Sequence, residues 1–207
     1  MLETASKRVN LSNKSVRLIL RAAQDLWTRD GYHGASLKEI AATAGVAKSL
    51  VHYHFESKEH LLIELQADWC HRVARAIRAR VEATPPSAAA AFAALDQVFE
   101  AMVMTRAQFP FALELWRQSV VNPSVRERLR AFDRELCALY VEGLVTALGP
   151  LAARLPVPPV RAAALIQAVL DGIGLRLFLE DDVVAVRRTF DDAKALLITA
   201  LLPGGPS

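Results

Sequence analysis

The stretch from Ser36 to Lys58, SLKEIAATAGVAKSLVHYHFESK, constrains this chain more than any other. Ser36 stands where a helix N-cap belongs, and Glu39 three residues on completes a capping box. Leu37, Ile40 and Ala41 give that short helix an inward face. Gly45 follows it as a C′ glycine, in left-handed backbone that costs any residue with a Cβ. After the turn Ala44-Gly45-Val46-Ala47, a second short helix is predicted from about Lys48 to His54, with Leu50 and Val51 inward and Phe55 closing the base. Two short helices about a glycine turn make a helix-turn-helix, a unit whose second helix enters a DNA major groove.

A helix from about Asn13 to Asp30 precedes this stretch. Val16, Ile19, Leu20, Ala23, Leu26 and Trp27 recur there at helical spacing, and Gly31 ends it. Ser57 caps a long helix from about Lys58 to Glu82, which has no internal Gly or Pro. Beyond the break Thr84-Pro85-Pro86-Ser87, helices are predicted over 87–106, 111–119, 123–148, 160–180 and 186–202, with Asn122-Pro123 as a cap and first helical residue. No strand alternation and no internal repeat stands out. The predicted class is all-α with about nine helices. A three-helix unit over 1–58, its first 12 residues a disordered tail, is followed by a helical domain over 59–203.

Charge distribution fits that division. Residues 1–60 carry nine Lys/Arg against six Asp/Glu, while 61–207 carry sixteen of each, so the net +3 resides in the opening stretch. A basic excess there suits an anionic partner. Cys70 and Cys137 are too far apart in sequence for a zinc pattern, and Cys70-His71, adjacent on one helix, chelate poorly. The N-terminus lacks a signal peptide's apolar core, and no uncharged apolar run reaches membrane-spanning length. A cytoplasmic protein without a membrane partner is expected. No nucleophile–base pair, phosphate loop or metal motif is present, so neither a catalytic residue nor a cofactor is expected. An all-α enzyme using polar groups in the bundle is the alternative this disfavours.

The stretch from Val16 to Leu62 resembles the TetR family of bacterial transcription regulators. The resemblance is carried by Gly31-Tyr32, Ser36 to Ala41, Ala44-Gly45-Val46, and Ser49 through Phe55 followed by Ser57-Lys58-Glu59 and Leu61-Leu62. His52 stands where the family usually has Tyr. Ala112 to Arg134 and Leu170 to Leu175 are similar to the subgroup of choline-responsive repressors. The resemblance implies a homodimer that binds an operator in double-stranded DNA as a repressor and leaves it when a small-molecule effector binds. A ligand-independent binder or an activator remains the alternative within that class.

On this footing the first turn of the recognition helix, Ala47, Lys48, Ser49 and Leu50, faces base edges. Lys48 either donates to guanine or contacts phosphate. Leu50 meets a thymine methyl or packs inward. His52, Tyr53 and His54 follow, with His52 or Tyr53 the phosphate contact. Ser36 caps a helix whose first N–H groups attract phosphate. Lys38 and Lys58 are further phosphate candidates, Lys58 from the family's pattern. Trp69, Phe99, Met102, Phe111 and Trp116 are large enough to line an effector pocket, with Glu114, Gln167 and Asp171 as its polar groups. The family's dimer surface implicates the last two helices, through Leu165, Val169, Gly172, Leu196, Leu197 and Leu201.

Overall fold

The structure, a computed structural model, describes residues 9–10 and 13–201. The tail expected over 1–12 lies outside them apart from Val9 and Asn10, as does Leu202. Among the described residues there are nine α-helices and no strand: α1 Lys14–Gly34, α2 Leu37–Ala44, α3 Lys48–His54, α4 Lys58–Glu82, α5 Ala88–Met104, α6 Phe109–Val121, α7 Pro123–Leu148, α8 Pro159–Leu179 and α9 Val183–Leu201. Short 3-10 turns, Arg106–Gln108 and Gly149–Arg154, lie before α6 and after α7.

Side-chain caps set most of the starts. Asn13 Oδ1 accepts the Ser15 and Val16 N–H groups at 2.8 and 3.4 Å. Ser87, Asn122 and Asp182 do the same for α5, α7 and α9. α6 begins at Phe109 rather than Phe111, because Pro110 falls in the first turn, where no N–H is required of it. Gly31 interrupts α1 with φ 74° and ψ 165°, and one further turn carries Tyr32 to Gly34.

The chain forms two compact units. The first comprises residues 1–69 and 111–129, and the second 70–110 and 130–207. These units do not coincide with the division expected after Lys58. The apolar face of α4 continues into the first unit through Leu61, Leu62 and Leu65, all buried. α6 joins the same unit by burying Phe111 and Leu115, with the Phe111 ring edge-on to Trp27 at 6.1 Å.

The second unit centres on α5, α8 and α9. Phe99, Ile166, Leu170, Ile173, Leu177, Val186 and Phe190 form its core, with Phe99 and Phe190 stacked at 4.7 Å. An ion cluster ties α9 to α5. Asp96 accepts from Arg187 at 2.7 Å and Lys194 at 2.5 Å, and Arg187 also bonds Asp191. Gly174 is where α8 needs a glycine, since a Cβ there would lie 2.7 Å from Cε2 of Phe109. By length and composition alone, α8 and the segment Pro123–Arg154 are long and apolar enough to cross a membrane, although charged residues interrupt both, so neither is an uncharged run. That apolarity is no evidence of spanning, because α8 buries eight residues within its own unit.

Candidate nucleic-acid interface

The helix-turn-helix is built as its residues dictate. The Ser36 N–H donates to Glu39 Oε2 at 2.7 Å, its hydroxyl donates to the same oxygen at 2.7 Å, and Ser36 Oγ accepts the Glu39 N–H at 3.3 Å. Those donations hold the Glu39 carboxyl below the usual range. Gly45 adopts φ 65° and ψ 34°, and its N–H reaches back to the last carbonyls of α2. The α3 helix starts at Ala47, which supplies no side-chain cap, and ends at Phe55, whose N–H donates to the Val51 carbonyl at 2.8 Å.

Burial divides α3 cleanly. Val51 and Phe55 are fully buried. Ala47, Lys48, Ser49, His52 and Tyr53 are exposed, Tyr53 at 64%, while Leu50 and His54 are half-buried. Residues 47, 48, 49, 52 and 53 thus share one outward face, as helical periodicity requires when Val51 points in. Tyr53 is also edge-on to the His54 ring at 5.0 Å. Ser36 and Lys38 are exposed at the start of α2. Lys58, at the start of α4, is half-buried with its Nζ 4.3 Å from the centre of the Tyr32 ring. Burial lowers its pKa, partly offset by Glu59, Glu114 and Glu39. The Tyr32 hydroxyl donates to Glu59 Oε1 at 3.2 Å.

The residues expected to line an effector pocket separate. Trp69, Phe111, Glu114 and Trp116 fall in the first unit and Phe99, Met102, Gln167 and Asp171 in the second. Phe111 and Phe99 are core residues of their own units. Glu114 accepts from Arg117 at 2.8 Å and Gln118 at 2.8 Å, with His33 Nε2 at 3.4 Å. Arg117 above all holds its carboxyl low. Trp116 is exposed and Met102 packs against the α5–α8–α9 core. Gln167 is 8% exposed and donates to Asp133 at 2.5 Å. Asp171 follows one turn on, and burial of its carboxyl, then the charge of Asp133, push it up to about 6. Tyr140, which the sequence did not single out, feels Asp171 as well and is raised mainly by burial.

That shift has a testable sign. A carboxyl whose folded pKa exceeds its unfolded value removes stability as pH rises, here between about 4 and 6. Asp171→Asn is therefore expected to stabilise the protein above pH 6 and to leave it unchanged below pH 4. Urea midpoints at pH 4 and 7.5 check this. Water screens part of the effect because the residue keeps solvent access, so the gain should be small.

The six residues expected at a dimer surface also divide. Leu165, Gly172 and Leu196 face outward, Leu165 at 51% and Leu196 at 73%, and nothing lies within 4 Å of a Cβ built on Gly172. Val169 and Leu197 are partly buried against the unit's own core, and Leu201 is buried. Leu197 lies about 100° from Leu196, enough to turn it toward its own core, whereas Val169, one turn on from Leu165 and only about 40° round from it, sits at the edge of the outer face. The sequence missed Ala164, Ala168, Leu175 and Leu179, which are exposed and extend the outer face of α8 at spacings of three and four. The signal for them was present in that spacing.

Comparison with known proteins bears on both parts of the chain. Residues 19–65 match the family model for bacterial regulatory proteins of the tetR family. Residues 87–202 match that for the BetI-type transcriptional repressor C-terminal domain. The HTH-type transcriptional regulator RutR of Escherichia coli K12 is 40% identical over 62 residues, 30% of this chain and 29% of that one, so the similarity spans under a third of RutR. The HTH-type nicotine-responsive transcriptional repressor HdnoR of Paenarthrobacter nicotinovorans is 24% identical over 185 residues, 86% of this chain and 87% of its own. Among solved structures, the fatty acid degradation regulator FadR of Bacillus halodurans superposes with a TM-score of 0.70 at 22% identity, covering 93% and 96% of the two chains, a likeness of fold. With a regulatory-domain model matching over half its length and the family's DNA-binding model matching ahead of it, the chain belongs to the TetR family of bacterial regulatory proteins.

Proposed function

We propose that the protein is a homodimeric transcriptional repressor that binds a near-palindromic operator and leaves it when a small molecule binds its C-terminal part. The observation that carries the DNA-binding half of this reading is the outward face of α3, where Lys48, Ser49, His52 and Tyr53 stand exposed over a buried Val51 and Phe55. In this reading Lys48 reaches a base edge or a phosphate, and His52 or Tyr53, with Lys58, contacts phosphate. Ser36 adds the N-terminus of α2 as a further phosphate site, beside Lys38. One such unit reads a few base pairs, so specificity depends on two units at a fixed spacing.

The outer stripe of α8, with Leu196 of α9, supports the dimer. Its small residues Ala164, Ala168 and Gly172 alternate with Leu165, Leu175 and Leu179, a pattern that lets two helix pairs close on each other. Within the second unit the effector candidates are Phe99, Met102, Gln167 and Asp171, joined by Tyr140, with Phe99 and Met102 also packed in the α5–α8–α9 core. HdnoR, by its name, responds to nicotine, so response to a small molecule is represented among relatives that match most of this chain. An effector acts only by preferring the state that cannot hold DNA.

The test is selection of duplexes from a random pool by the full-length protein, followed by gel shifts at graded salt. Lys48→Ala and Tyr53→Ala are each expected to weaken the selected duplex about tenfold. Tyr53→Ala should also weaken unrelated sequences in proportion, while Lys48→Ala should relax preference at one position if Lys48 reads a base. Binding that is indifferent to sequence and unchanged in both variants would overturn the reading.

A further inference from the structure

We propose that His60 and Arg128 are positioning residues that grip Glu56 from two sides and so fix the pose of the recognition helix. The inference rests on the reading of α3 as the DNA-contacting helix. Glu56 is the first residue after Phe55, the C-cap of α3, and Ser57 begins the turn into α4. The corner has no glycine or proline to set its path. Its path is set by side chains instead. The Glu56 N–H donates to Nδ1 of His60 at 3.2 Å, and the His60 N–H donates to Oγ of Ser57 at 3.1 Å.

His60 is 2% exposed, on the inner side of α4, with its ring 5.9 Å from that of Phe55. An imidazole in such a place is costly unless it makes a bond no hydrocarbon can make. Accepting at Nδ1 requires the neutral ring with its proton on Nε2. That nitrogen is buried without a hydrogen-bond partner, 3.4 Å from Oε1 of Glu64. The bond to Glu56 is thus what the buried ring supplies, and an apolar residue of similar size would leave the Glu56 N–H without its acceptor.

The Glu56 side chain is held separately. Its carboxylate pairs with the guanidinium of Arg128, 72 residues away on α7. In a DNA-binding unit, a basic residue would ordinarily be counted as a phosphate contact. Arg128 is instead engaged on protein, with its side chain 21% exposed. Arg128 thus brings α7, which runs on to Leu148, to the end of the reading helix.

The experiment uses the full-length protein and the duplex it selects from a random pool. Arg128→Gln and Glu56→Gln, both on the surface of a folded unit, are each expected to weaken that duplex about two- to fivefold. The slope of log affinity against log salt should stay as in the wild type, whereas loss of a phosphate contact would flatten it by about one. The exchanged pair Glu56→Arg with Arg128→Glu should recover most of the loss. His60→Leu should weaken binding about tenfold, and His60→Asn, whose Oδ1 can take the place of Nδ1, should recover part of it. A flattened slope in Arg128→Gln, no recovery in the exchanged pair, or His60→Leu binding like the wild type would each overturn the proposal. If the wild type selects no duplex, the DNA-binding reading fails. If it selects one and the variants behave otherwise than stated, this inference alone fails.

Discussion

Phe55→Ala is expected to cost the first unit about 3–5 kcal/mol, the range for truncating a fully buried aromatic. Phe55 closes the base of the helix-turn-helix, ends α3, and touches the ring of His60. Removing it leaves a cavity beside His60 and frees the corner that aims α3. Operator binding should be lost together with the near-native thermal transition of this unit. Tyr53→Ala, two residues away, is the control. Tyr53 is 64% exposed, so its removal should change stability by no more than about 0.5 kcal/mol while still weakening DNA binding. Urea unfolding and gel shifts on the two variants separate a residue that builds the helix from one that uses it. Equal stability losses in both would contradict the inside–outside division of α3.

Gly172→Arg, with Leu165→Arg as its companion, is expected to convert the proposed dimer to folded monomers and to reduce operator affinity by about 10²–10⁴-fold, the avidity lost when two linked sites become one. Neither change disturbs the chain's own packing. Leu165 is 51% exposed, and a Cβ at Gly172 meets nothing within 4 Å in its own protomer. Inward neighbours should behave oppositely. Leu197→Ala lies against the α5–α8–α9 core and should lower stability without changing the oligomeric state at concentrations where the fold persists. Sedimentation and circular dichroism together distinguish these outcomes. A Gly172→Arg protein that remains dimeric would place the interface elsewhere.

The helix-turn-helix was legible because its signals are local. Ser36 with Glu39 and Gly45 in the left-handed region each act within four residues, and each is found where the spacing put it, as is the Asn122-Pro123 start of α7. The long α4, with no breaker between Lys58 and Glu82, was legible for the same reason. The outward faces of α8 and α9 were legible only in part. Those helices are so rich in apolar residues that the pattern does not fix the phase, and Leu196 and Leu197 are both plausible interface residues until the core is seen. The contact of Phe111 with Trp27, far upstream, is one that no local pattern records. Glu56 with Arg128 and Asp96 with Arg187 are hidden for the same reason. Each is separated by more than 70 residues, and in sequence each looks like an ordinary surface charge.

The most direct test of the account is a hydroxyl-radical footprint of the full-length protein on its selected duplex, with the oligomeric state of the complex measured alongside. Two protected half-sites are predicted, related by a dyad and separated by one helical turn, about 34–36 Å, or a multiple of it, with one protomer on each. Lys48→Ala should weaken both halves equally. A single protected segment bound by one protomer, or uniform protection indifferent to sequence, would contradict it.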